Sequence, residues 1–366
     1  MKINLKIFHA NIFMLIMVEK QVLLKKPDHT PGKAKFPVID AHNHLFGDVS
    51  GESLLEIMDA AGVKIFLNVT GNVSLPFDEK GYTIRRRGLS EYIENYVRKF
   101  PGRFAAFTMS DFARWDDFTI FKTEDFVDEL INRFEEDVKN GAKGLKVTKE
   151  LGLRFTDTTG RMVPVDDKRL YPIWKRAGEM GLPVLIHVSD PVGFFLKNDE
   201  RNEHYDTLKE FPGWSFYGST FSKMELLEQR NRMIADHPGT TFILPHVANY
   251  PEDLAYVSEH LDDNSNVYID FSARIDELGR QPYSARDFFI RYQDRILFGV
   301  DMPLSVEVYR AYFRFLETKD EYFDYPDYLG RWGNCRWKIY GLYLPDEVLK
   351  KIYYGNALKI IPALSA

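Results

Sequence analysis

From Phe36 onward, short apolar runs rich in β-branched residues alternate with longer segments whose apolar residues recur every three or four positions. The first pattern suits strands buried on both faces, and the second gives a helix one apolar stripe. Together they predict a βαβα chain, with a parallel sheet covered by helices. Eight runs read as strands: 38–42 (VIDAH), 64–69 (KIFLNV), 103–109 (RFAAFTM), 143–147 (KGLKV), 183–188 (PVLIHV), 241–246 (TFILPH), 267–271 (VYIDF) and 296–301 (ILFGVD). Eight parallel strands point to a closed (β/α)8 barrel of the TIM type, an α/β fold. The clearest helix covers 124–141, with Phe126, Leu130, Phe134 and Val138 four apart and Gly141 as its stop; a second, over 166–181, ends on Gly181. Two connections, 191–221 and 309–345, far exceed the usual few residues. The aromatic-rich stretch 320–345 is expected to cap the barrel bottom or meet another subunit, ahead of binding substrate.

Composition narrows the class. At 366 residues and 45% hydrophobic content the chain can bury one large core, so residues 36–366 form one domain behind a leader or linker, 1–35. Its 54 acidic and 48 basic residues are interspersed, which argues against nucleic acid as a partner. A lone cysteine, Cys335, cannot close an internal disulfide, so a metal would rely on histidine and carboxylate ligands. Two early lysines and the apolar residues 12–18 have the character of a weak secretory signal, but His9 and Asn11 interrupt it and no small-residue cleavage site follows. The expectation is therefore a cytoplasmic protein, with a periplasmic or secreted one as the alternative. No run approaches the ~20 apolar residues of a membrane span.

Polar residues close several otherwise apolar strands. The first ends in Asp40-Ala41-His42-Asn43-His44, the fifth at His187, the sixth at His246 and the eighth at Asp301. In a barrel the carboxyl ends of the strands share one mouth, where chemistry is placed. Burying four imidazoles and a carboxylate there without a partner would cost several kcal/mol, which a divalent cation offsets at one stroke. Imidazole and carboxylate donors without thiolate suit zinc, the expected ion, with manganese, iron, nickel or cobalt as alternatives. Three or four protein ligands leave a coordination position open, as a catalytic ion needs.

The motifs VIDAHNH, GLKV, LPVLIHVSDP, FILPHVAN, RILFGVDMP and IYYGNALKII, in that order over residues 36–362, resemble the amidohydrolase superfamily. Within it, the chain is similar to the amidohydrolase-related branch of metal-dependent hydrolases and non-oxidative decarboxylases. The resemblance implies His42, His44, His187 and Asp301 as metal ligands. It implies that His246 acts on substrate or water, and that Lys146 stands where two-metal members carry a carboxylated lysine. One metal is expected, with Lys146 facing substrate; a second metal on a carboxylated Lys146 is the alternative.

A bound divalent ion lowers the pKa of water from about 16 towards 7. Asp301 would take that proton and pass it to the leaving group, and His246 would steady the charge developing on a substrate oxygen. Lys149 and Arg274 are candidates for binding a carboxylate, and Trp214, Phe216 and Tyr217 for an apolar wall or lid. Asp190 and Asn249 are placed to orient the neighbouring imidazoles, and Asp40 to organise the end of the first strand. The first reading is a hydrolase of a lactone, ester or amide. The second is a decarboxylase, a lyase acting on a small unsaturated or aromatic acid, and the third a barrel that binds metal or ligand without catalysis. A small-molecule substrate is the expected partner; a homodimer is expected on the general frequency of symmetric dimers alone.

Overall fold

A computed structural model describes residues 23–78, 81–110, 112, 117–332 and 337–364. The apolar segment 12–18 and Cys335 lie outside the described residues. Eight strand positions follow the eight apolar runs: β1 (Val38–Asn43), β2 (Val63–Asn68), β3 (in two pieces, Phe104–Ala106 and Thr108–Met109), β4 (Leu145–Val147), β5 (Val184–Ile186), β6 (Phe242–Leu244), β7 (Val267–Asp270) and β8 (Ile296–Leu297). Each pairs in parallel with its sequence neighbour, β1 through β2 to the first piece of β3, and the second piece through β4 to β8. Ala41 N donates to Phe298 O (2.9 Å) and Val300 N to His42 O (3.1 Å), so the chain beyond β8 returns to β1 and the eight positions form a (β/α)8 barrel. This seam is tight. A Cβ on Gly299 would stand 2.8 Å from the Cβ of His42, which is why no larger residue fits there.

The helices between strands are α1 (Gly51–Ala61), α2 (Leu89–Tyr92, continuing as a wider turn over Ile93–Arg98), α3 (Phe126–Lys139), α4 (Tyr171–Glu179), α5 (Lys223–Ala235), α6 (Leu254–Asp263) and α7 (Pro282–Arg291), with α8 (Val306–Glu317) after β8. Alternate strand residues divide between two cores. Ile39, Ala41, Ile65, Leu67, Ala105, Leu185, Ile243 and Leu297 fill the barrel, whose interior is plugged by Ala357 and Ile361 of the C-terminal segment. Val38, Phe66, Phe104, Val184, Phe242 and Ile296 face the helices instead. Among the described residues no helix is long and apolar enough to cross a membrane.

Two expectations change. The connection expected over 309–345 begins as helix, because Val308, Tyr312, Phe315 and Leu316 form the buried stripe of α8. Of the described residues in the aromatic stretch 320–345, Tyr328 and Leu329 line the cavity at the mouth and not the barrel bottom. The bottom is already filled by the C-terminal plug.

Candidate metal centre

The irregular ends of the strands build the site. Pairing of β1 with β2 slips between Asp40 and Asn43, at the point where the regular alternation that sends Ile39 and Ala41 into the barrel gives way to His42. Buried Asp40 steadies this end, accepting from Asn43 Nδ2 (2.9 Å), Tyr309 OH (2.8 Å) and Val300 N (3.2 Å). Strand β6 stops at Leu244, two residues short of the expected 241–246, because Pro245 has no N–H to donate and the chain then enters a left-handed turn. His246, Val247, Ala248 and Asn249 take φ of 57°, 55°, 53° and 61°, and Asp301 takes 50°. For non-glycine residues this costs about 1–2 kcal/mol each, and most for β-branched Val247. Such strain gathers where a fold must aim side chains at a site.

Asp301 stands at the centre. Its Oδ1 lies 3.3 Å from His44 Nε2, and its Oδ2 lies 3.5 Å from His246 Nε2 and 3.8 Å from His42 Nε2. The outer nitrogens of these imidazoles are all engaged. His42 Nδ1 bonds to Asp270 Oδ2 (2.8 Å) and His246 Nδ1 to the Ser272 carbonyl (2.7 Å), both of which can only accept. His44 Nδ1 meets Thr70 Oγ1 (2.8 Å), whose own proton goes to Asn68 Oδ1 (3.2 Å). Each ring therefore carries its proton on Nδ1 and directs the Nε2 lone pair at a carboxylate. His187 is turned the other way: its Nε2 meets Ser189 O (3.0 Å), leaving Nδ1 as its lone-pair nitrogen. Burial holds His44 and His246 well below the ordinary histidine value and His187 down at about 3, so these rings are neutral near pH 7.

Lone pairs facing a carboxylate repel unless a cation lies among them. Donor atoms of His42, His246 and Asp301 fall within 4.8 Å of one another, the one such trio of possible metal-ligating groups among the described residues. Ligand distances of about 2.0–2.2 Å need only small closing movements from that span, so the residues fit a divalent ion. The trio differs from the ligand set expected from sequence. His246 joins it as a donor; its protonated nitrogen is spent on Ser272, so the neutral ring has no N–H left for a substrate oxygen. His44 reaches the other oxygen of Asp301, and His187 lies beside the trio with its ring centroid 4.6 Å from that of His246.

Lys146 is buried, with Nζ 3.3 Å from His42 Nε2, and burial pulls it down to about 8. Asp190 gathers three other candidates: Lys149 bonds its Oδ2, and His187 Nε2 and Arg274 lie 3.4 and 3.8 Å from its Oδ1. Asn249 accepts from Val188 N (3.4 Å) rather than touching the ring of His246. Lys146, Lys149, Arg274 and Trp214 line a cavity of about 140 Å³ above Asp301, together with apolar Phe46, Leu75 and Phe194. Phe216 is buried under Lys149, whose Nζ stands 5.3 Å from its ring centre. Tyr217 is not brought to the cavity: it is 63% exposed on the outside of its loop.

Sequence reasoning passed over Asp270, Ser272 and Thr70. Asp270 binds His42 through Oδ2, and through Oδ1 it accepts from His246 N (3.2 Å), Ser272 N (3.0 Å) and Ser272 Oγ (2.6 Å). The signal was present, since all three stand at the ends of β2 and β7, where polar residues follow apolar runs.

Comparison with known structures returns the same fold at low identity. An uncharacterised TIM-barrel protein from Bordetella bronchiseptica is 16% identical over 89% of this chain and 98% of its own, with a TM-score of 0.53. 2,6-Dihydroxybenzoate decarboxylase from Rhizobium is 17% identical over 89% of this chain and 98% of its own (TM-score 0.51). Dihydroxybenzoic acid decarboxylase from Polaromonas sp. JS666, with bound manganese and the inhibitor 2-nitroresorcinol, is 15% identical over 90% of this chain and 98% of its own (TM-score 0.52). No curated protein matches by sequence. The amidohydrolase family model matches residues 39–362, nearly the whole barrel, and the chain belongs to that family.

Proposed function

We propose that the protein is a hydrolase of a small carbonyl compound that uses one divalent metal, with His42, His246 and Asp301 as the core of its ligand set and His44 and His187 completing it. One observation supports this above all: three imidazoles, their Nδ1 atoms engaged by Asp270, Thr70 and Ser272, aim Nε2 at the single carboxylate of Asp301. When bound there, a divalent cation supplies positive charge that polarises a carbonyl and makes a nearby water more acidic. The chain's own residues do the rest. Asp301 is raised by burial while His42 and Lys146 pull it down, a setting for a carboxylate that accepts a proton and returns it to a leaving group. Lys146 offers an N–H beside the same centre. Arg274 and Lys149, already tied to Asp190, present a positive wall, so the substrate is proposed to carry a carboxylate beside its reacting carbonyl.

A decarboxylase is the second reading, favoured by the apolar wall of Phe46, Leu75, Phe194 and Trp214 facing those cations, which suits an unsaturated or aromatic acid. The likeness to two dihydroxybenzoate decarboxylases is of fold and does not decide between the readings. Chelator-treated and manganese- or zinc-loaded protein, assayed on lactones, esters, amides and aromatic acids, separates them. Metal-dependent acid release supports hydrolysis, and metal-dependent carbon dioxide release replaces it with decarboxylation. Turnover unaffected by chelator or by Asp301→Asn rejects both.

A further inference from the structure

Two cations lie on the buried face of α5, seven residues apart and so two helical turns from each other: Lys223 is 5% exposed and Arg230 not at all. Neither lines the cavity. Arg230 forms no ion pair among the described residues; it donates to the carbonyl of Ala248 (2.6 Å) and to Asn231 Oδ1. Lys223 donates to the carbonyls of Asp190 (2.6 Å) and Asn249 and to Ser189 Oγ (3.2 Å). An ammonium and a guanidinium buried on backbone carbonyls are expensive unless those carbonyls have no other way to be satisfied. Here they do not. Ala248 and Asn249 are the last two residues of the left-handed turn that begins at His246, and such a turn cannot pass its carbonyls on to a following helix.

We propose that Lys223 and Arg230 are positioning residues that clamp the strained His246–Asn249 turn and, through Lys223, lock it to the Ser189–Asp190 loop that follows His187. Two metal-facing imidazoles from different strands are thereby set at a fixed separation by one helix. Arg230 holds the penultimate carbonyl of the turn, Lys223 holds its last, and Lys223 also holds the neighbouring loop. Without these charges the turn relaxes towards ordinary right-handed or extended backbone, and His246 leaves Asp301. The inference rests on the metal reading above.

The test is cobalt(II) binding to chelator-stripped protein, followed by its visible absorption, with melting temperature recorded in parallel. Arg230→Met and Lys223→Met should each bind cobalt at least about tenfold more weakly, with an altered absorption band. Ala248→Gly, which makes left-handed backbone easy at the held position, should restore most of the lost affinity when combined with Arg230→Met. A purely structural role for the cation would not be rescued by a glycine in the turn. Should Arg230→Met fail to fold, Lys223→Met combined with Asn249→Gly, at the carbonyl that Lys223 holds, carries the same comparison. Wild-type cobalt affinity in folded Arg230→Met and Lys223→Met overturns the proposal, as does failure of the glycine to rescue. If the wild type binds no cobalt, the metal reading itself falls, an outcome distinct from these.

Discussion

At the scale of single residues, the metal-facing imidazoles depend on what stands behind them. Asp270 is the most connected of these supports: it fixes the Nδ1 proton of His42 and takes the backbone N–H of His246. An asparagine there can turn its NH2 towards His42, which forces the ring's proton to the inner nitrogen and removes the lone pair that the proposed metal would take. Asp270→Asn is therefore expected to weaken metal binding about 10–100-fold while leaving the fold in place. Isothermal titration of the stripped protein with zinc or manganese checks this, and wild-type affinity would contradict it. The candidate residues His42, His44, His187, His246 and Asp301 were all legible, because each interrupts or ends an apolar run. Their division of labour was not. Which nitrogen of each ring is protonated follows from contacts as distant in sequence as the 228 residues between His42 and Asp270, and no local pattern carries that.

At the scale of elements, all eight strands were visible as apolar runs, since burial on both faces leaves little room for polar residues. Less visible were the places where strands cease to be regular. The turn at His246 contains no glycine to mark it; only Asn249, a residue that tolerates left-handed backbone, hints at it. The seam between β8 and β1 does carry a marker, Gly299. Gly299→Ala would press a methyl group against His42, so the seam must open. The expected loss is about 1–3 kcal/mol, as for other overpacked cores, together with weaker metal binding if His42 is the ligand proposed above. Gly213→Ala, where an added methyl meets nothing, is the control. Thermal melts of the two stripped variants give the comparison, and equal melting temperatures would show that the seam is looser than its contacts imply.

For the whole molecule, the buried titratable groups set how stability depends on pH. His260 on α6 is pulled down to about 3 by burial, with Arg230 and Arg295 adding to the effect, and burial brings His187 to about 3 as well. In the unfolded chain both bind a proton near pH 6.5, so between about 6.5 and 3 the unfolded state holds more protons than the native one. Their stabilising contribution is complete above pH 6.5 and is lost as pH falls towards 3. Asp40 works in the opposite sense. Burial pushes it up to about 7, so its contribution is complete below about 3.9 and is lost as pH rises through 7. His44 and His246, also lowered by burial, side with the other histidines. With His204, five histidines among the described residues are lowered by burial, against four carboxylates raised by it, Asp40, Asp301, Glu277 and Glu317, so on balance the stripped protein should lose stability on acidification from pH 6.5. His260, a buried residue of α6, does not line the cavity at the mouth and isolates one share of this slope. His260→Gln keeps an acceptor for Asn264 but cannot be protonated, so it should reduce the slope by up to about 1.4 kcal/mol per pH unit over this range. Urea unfolding of stripped wild type and His260→Gln at intervals from pH 7 to 4 measures both slopes. Identical slopes would mean that His260 becomes protonated without opening the fold, and that the acid sensitivity of the molecule resides in its other buried histidines.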